Sequence, residues 1–222
     1  MVRLSTLVFA ALLAALLLAA CSPDRSPQAD AQTACAPEWQ PEPGTTLLAS
    51  LPTDSGMHGL WDPQRFRTLC DFDAWARNFV DDQDIRRHIA SGAFVPIYVQ
   101  SDGVALIEVR VGSAQAPATF DPGAQTRVER RSSPYLFVSQ GMVGVSGIEY
   151  INAYSGDASR FLALPPGRWV AEVLQVEPQE GLDSQLADRV PNFVVLLNPE
   201  PAQAPGYSRD VDTFGPARPR KE

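Results

Sequence analysis

The sequence predicts a mainly β fold, an antiparallel β-sandwich or partly open barrel with a short N-terminal helical segment, α+β by content. Three observations predict it. After Gly92 the chain is a series of short runs rich in Val, Ile, Leu and aromatic residues. Turn-forming residues separate them: Ser101-Asp102-Gly103, Gln140-Gly141 and Pro165-Pro166-Gly167. No segment of helical period stands between those runs, which favours antiparallel sheets over strand–helix–strand units.

Taken in order, the folded part begins near residue 47 with a helical piece. In "CDFDAWARNF" the residues Phe72, Trp75, Ala76 and Phe79 fall on one helical face, and Asp71 stands where an N-cap belongs. "DDQDIRRHIASG" continues with Ile85 and Ile89 four apart, acids at its start, Arg86, Arg87 and His88 at its end, and Gly92 as the stop. "FVPIYVQ" and "VALIEVRV" flank Asp102-Gly103 and predict a hairpin. "YLFVSQGMVGVSG" predicts two strands around Gln140-Gly141. "RFLAL" and "RWVAEVLQVE" predict two more around the double proline. "FVVLL", uninterrupted and apolar between Pro191-Asn192 and Asn198-Pro199, suits a strand buried on both faces.

Both ends differ in composition from this core. Residues 21–46 are rich in Pro, Ala, Gln and acids and read as a tether, 47–198 as one β-rich domain, and 199–222, Pro-rich with few aliphatics, as a disordered tail. Residues 1–20 carry one charge, Arg3, and then an apolar run from Leu7 to Ala20, about the length of a secretory signal and short for a bilayer span. Leu18-Ala19-Ala20-Cys21 resembles the lipobox of bacterial lipoproteins. That resemblance implies cleavage before Cys21, lipid attachment at Cys21, and a bilayer as the first partner. Ser22, where an Asp would favour inner-membrane retention, points to the outer membrane facing the periplasm. An ordinary cleaved signal and an uncleaved anchor are the alternatives.

With Cys21 lipidated, Cys35 and Cys70 remain, and in an exported domain they most simply form one disulfide, two free thiols being the alternative. Such a bond would stabilise by roughly 3–4 kcal/mol in the chain-entropy model.

The chemistry-bearing residues are few. A net charge of −8 with one lysine, Lys221, argues against a nucleic-acid partner. Two histidines, His58 and His88, and no clustered Cys/His spacing give no metal site, and no cofactor motif is present. Asp71-x-Asp73 has the spacing of aspartate-nucleophile phosphatases, but capping accounts for it better. Ser146 lacks the second Gly of a nucleophile elbow and reads as part of a turn between strands. Glu108, Glu149 and Glu172 lie on predicted strands, and nothing in the linear order brings two together. The remaining candidate is a Gly-flanked binding loop formed by His58, Trp61 and Asp62. These features predict an envelope lipoprotein with a non-catalytic β-rich domain that binds another protein, in an immunity- or assembly-type role. The alternative is an envelope hydrolase acting on polysaccharide or peptide.

Overall fold

Strict alternation of apolar side chains from Leu47 through Ala49 and Leu51 makes the first strand, β1 (Thr46–Thr53), which buries those three and turns Thr46, Leu48 and Ser50 outward. The computed structural model describes residues 39–98, 100–151 and 158–215, and the signal segment, Cys21 and Cys35 lie outside them. The strands that follow are β2 (Met57–Trp61), β3 (Phe94–Tyr98), β4 (Gly103–Val111), β5 (Thr126–Arg131), β6 (Tyr135–Gly147), β7 (Ser159–Pro178) and β8 (Phe193–Pro199). They form a single open, eight-stranded sheet in the order β1-β4-β8-β7-β6-β2-β3, with β5 also paired to β7. The fold is mainly β, as the sequence predicts.

The sheet is mixed rather than wholly antiparallel: β8 enters between β4 and β7, parallel to the first and antiparallel to the second. The long excursion between β4 and β8 permits this, since a parallel neighbour needs a crossover and not a tight turn. Central placement also explains why "FVVLL" has no polar position. Phe193, Val195 and Leu197 enter the main core, while Val194 and Leu196 join Leu174 and Val176 in a second cluster covered by Ala118, Phe120, Val128 and Val190.

Three predicted turns take other forms. β3 and β4 are not a hairpin: β3 pairs with β2, and β4 pairs with β1 and β8. Thr53 faces Gly103, so the Asp-Gly signal marks the start of β4 after a crossing from β3. Gln140-Gly141 is a bulge inside the continuous strand β6, with the register shifting between Ser139 and Gly141. Pro165-Pro166-Gly167 lies opposite it inside β7, where Ser139 pairs with Gly167 and Gly141 with Leu164. The two turn signals thus meet across one ribbon and bend it. The first stretch of β6 lies against the part of β7 that also holds β8, and the last stretch of β6 holds β2. A sandwich-like core therefore arises without two separate sheets.

The helices follow their sequence signals. Asp71 Oδ1 accepts the Ala74 N–H at 2.7 Å and caps α1 (Phe72–Phe79). Asp81 caps α2 (Asp82–Ala90), which ends at Gly92 with φ +74°. Phe79, Ile85 and Ile89 are buried, and the Phe79 ring meets Phe66 at 5.2 Å and Phe94 at 5.7 Å. Phe72, expected on the buried face, is instead 73 % exposed and stacks on Trp75. A short third helix, α3 (Ser184–Ala187), precedes β8.

The expected tether and tail are shorter than their composition implies. Trp39 stacks on Phe161 at 5.3 Å and meets Trp61 edge-on at 5.7 Å, and Glu42 exchanges backbone hydrogen bonds with Phe161 and Ala163 of β7. Beyond Pro199, the chain expected to be disordered packs on the domain as far as Gly215. Val211 and Thr213 are buried, Tyr135 Oη donates to Asp210 O at 3.0 Å, and Phe214 lies 6.2 Å from Phe193. A few anchors at the right spacing hold a segment that mean hydropathy alone would leave free.

Candidate functional site

Met57–Trp61 was expected as a loop, and it is a strand paired on both sides, to β3 and to β6. The candidate binding trio His58, Trp61 and Asp62 is therefore core rather than an exposed loop. Gly59 permits this: a Cβ there would sit 2.2 Å from the Phe94 ring. Trp61 is fully buried, donates Nε1–H to Ser146 Oγ at 3.1 Å, and packs against Phe66 and Phe161. Ser146 accordingly lies within β6 and not in a turn. Asp62 Oδ1 accepts the Gln64 N–H at 3.0 Å and caps a single 3₁₀ turn, Pro63–Arg65. Its Oδ2 has no hydrogen-bond partner among the described residues, and burial pushes its pKa up against the pull of Gln64 N–H and Arg65.

His58 crosses from β2 to β1. Its Nε2 lies 2.8 Å from Leu51 O, and the residue is 1 % exposed. A carbonyl oxygen only accepts, so Nε2 carries the proton. Burial lowers the imidazole pKa, although Leu51 O and Glu149 pull it upward. The same burial favours the neutral ring, in which Nδ1, without a hydrogen-bond partner among the described residues, holds the lone pair. No Ser or acid completes a catalytic arrangement with it among the described residues.

The second histidine, His88, stands in the last turn of α2, as expected, and is half-buried against Phe66 and Phe79. There His88 Nε2 lies 3.0 Å from Asn78 Oδ1. Burial, followed by Arg87, lowers its pKa against the pull of Asp84. Of the three carboxylates expected on strands, Glu108 and Glu172 lie on β4 and β7, whereas Glu149 stands in a 3₁₀ turn just after β6, and each has its own partner. Glu108 pairs with Arg110, Glu172 with Arg131, and Glu149 accepts from Thr53 Oγ1 and the Asp54 N–H. Cys70 precedes α1, half-buried, and is not without a partner. The expected mate, Cys35, lies outside the described residues.

Two other features present surface to solvent. The outer side of β1 and β4 carries Leu48, 56 % exposed, and Val104, 70 % exposed, with Pro52 facing Val104. Because Val111 N–H bonds to Thr45 O, alternation along the antiparallel pair turns the backbone groups of Leu48 and Ser50 away from β4, toward the sheet edge. The alternating "TLLASLPT" carries the signal for this strand, a period of two that marks a one-faced strand. The second feature is a cleft of about 250 Å³ where β8 begins between β4 and β7, bordered by Asp102, Glu177, Phe193 and the His58 ring. Only the folded chain brings residues 58, 102, 177 and 193 together.

No family model matches the chain, and no curated protein does. Among solved structures, "Crocagin biosynthetic gene J" is similar, at a TM-score of 0.47 and 16 % identity, covering 71 % of this chain and 97 % of that one. So is ComJ, described as an inhibitor of the DNA degrading activity of NucA from Bacillus subtilis, at 0.39 and 12 %, covering 70 % and 97 %.

Proposed function

We propose that the chain is a bacterial envelope lipoprotein, held on a bilayer through acylated Cys21, whose β-rich domain binds another protein without catalysing a reaction. The observation that carries the binding reading is the edge of β1, where outward-facing Leu48 and Val104 accompany backbone groups that point away from the sheet. The Thr46–Ser50 part of this edge, unpaired on its outer side among the described strands, is a template for an added strand, which monomeric proteins ordinarily blunt with charges or cover. Structural roles account for the residues that a hydrolase would have used. His58 bonds to a backbone carbonyl, and the strand carboxylates are bound separately in ion pairs or caps.

The anchor reading rests on the order of the apolar run, the small residues and Cys21. Lipid at Cys21 with a second acyl chain gives lasting membrane attachment, and the outer membrane follows from Ser22. A bond between Cys35 and Cys70 would tie the end of the leader to the approach to α1.

The test is a pull-down from envelope extract with the tagged full-length chain beside Leu48→Lys. A stoichiometric protein retained by the first and lost from the second supports the reading. A protein retained equally by both moves binding off β1, and a blank from both overturns the binding function. The anchor has its own arm: Cys21→Ser must move the chain from the membrane to the soluble fraction.

A further inference from the structure

Asn192 closes the sheet at the start of β8. Its N–H donates to Leu106 O at 2.8 Å, its Oδ1 accepts the Leu106 N–H at 2.7 Å, and its carbonyl accepts the Val176 N–H at 2.9 Å. N-terminal to Asn192 no described strand separates β4 from β7, and the cleft opens there. Its walls include the largely buried Ala105, Val176 and Phe193 beside polar groups. The charged residues lining it are Asp102 and Glu177, both acidic.

The buried end of the cleft supplies the observation that turns a pair of acids into a site. His58 lines it while 1 % exposed, and Nδ1 has no hydrogen-bond partner among the described residues. Because Nε2–H is committed to Leu51 O, Nδ1 can only accept. Two carboxylates and one imidazole lone pair are thus three acceptors around one small space. A ligand that satisfies them must carry positive charge and several N–H groups in a fixed spread, with little cost for leaving water. A guanidinium has five donors in a plane and is weakly hydrated, whereas an ammonium is a compact, strongly hydrated point charge. The rim already shows the preference, since Arg127 reaches Glu177 with one guanidinium nitrogen and Glu129 with another. Arg127 is the cation a ligand would compete with at Glu177. The volume is below the roughly 300–1,000 Å³ usual for drug-sized ligands and suits a head group.

We propose that this cleft binds a guanidinium group, with Asp102 and Glu177 meeting its charge at the mouth and His58 Nδ1 accepting one N–H within. The group is the head of a small free guanidine or the side chain of an arginine on another protein. The site borders the β1 face at Val104 and takes its His58 tautomer from Leu51 O, but its acids, Asp102 and Glu177, lie off β1, and Leu48 is not part of it.

The experiment is an NMR titration of the ¹⁵N-labelled full-length chain in mild detergent with methylguanidinium. Saturable shifts are expected at the amides of Gly103, Val104 and Phe193 and at His58 Nδ1. The double variant Asp102→Asn/Glu177→Gln, at solvent-facing positions that do not hold the core, should weaken binding about tenfold or more through the lost charge-assisted bonds. Leu48→Lys should leave it unchanged, so loss of the β1 partner and loss of this site are read separately. A peptide with one internal arginine that binds more tightly than methylguanidinium assigns the site to a protein side chain. A peptide that fails where methylguanidinium binds assigns it to a small molecule. Absence of saturable shifts at ligand concentrations of order 10 mM, far above the range of a specific site, overturns the proposal. So does equal binding by the double variant, or equal binding of n-butylammonium.

Discussion

The two ends of the sheet are finished in opposite ways. At one end β3 has five residues, four of them buried, and the returning C-terminal segment seals its outer edge. Thr213 Oγ1 accepts the Tyr98 N–H at 2.9 Å and donates to Pro96 O at 2.8 Å, so one hydroxyl satisfies the strand's outward donor and acceptor. Pro96, whose own carbonyl faces outward to Thr213, stands where a missing N–H costs no ladder bond to β2. At the other end β1 has eight residues, alternates, and keeps Leu48 in solvent. An edge that the chain covers at the expense of ordering its own tail is a structural edge. An edge left long and apolar is one for which a partner is the natural cover.

That contrast is open to direct attack. The largest expected effect is a matched pair of charges: Val211→Asp, at a position 7 % exposed in the sealing segment, should lower stability by about 3 kcal/mol or more, while Leu48→Asp stays within about 0.5 kcal/mol. Urea unfolding of both variants measures this, and equal losses would mean that β1 is as covered as β3. Next, Gly59→Ala drives a methyl into Phe94 across the β2–β3 pair and should cost about 2 kcal/mol by the same assay, as overpacked cores do. Thr213→Val keeps the volume and removes both hydrogen bonds to β3, so a loss of about 1–2 kcal/mol is expected, with faster hydrogen exchange at the Tyr98 amide.

The smallest effect is a pH slope. His58, which joins β1 to β2, and His88 both have folded pKa values lowered by burial. The unfolded chain therefore takes up protons near pH 6.5 before the folded one does. Their stabilising contribution is complete above that pH and declines as pH falls below it, until the folded rings protonate as well. Asp62 acts in the opposite sense at more acidic pH, because its raised folded pKa lets the native state bind its proton first. Thermal midpoints should fall from pH 7 toward pH 5, and His88→Gln should flatten the slope. An unchanged slope in that variant would assign the whole effect to His58 and its seam.

Some of this was legible in the chain. Asp71 and Gly92 mark their helix ends because caps and stops are local: each needs only a side chain and the backbone within a turn of it. The unbroken apolar run of β8 marks burial on both faces for a similar reason, since every one of its side chains reports a covered face. β1 carries an equally local signal in its alternation, although no strand was expected ahead of α1. β2 was not legible: His, Gly and the following Asp imitate a loop unless the Phe94 ring that fills the space over Gly59 is known.

The sequence by itself determined the strand-rich composition, the helix boundaries, the lipobox-like N-terminus and the strand that had to be central. Tertiary structure alone decided what the turn signals do. Gln140-Gly141 and Pro165-Pro166-Gly167 each permit a reversal, and only their pairing across one ribbon makes them a bend. It also decided that Thr213 and Val211 seal an edge more than a hundred residues earlier in the chain, and that His58, Asp102 and Glu177 share one cleft. Caps and alternation are set by neighbours along the chain, whereas register, edge closure and convergence of side chains depend on long-range contacts that no local pattern encodes.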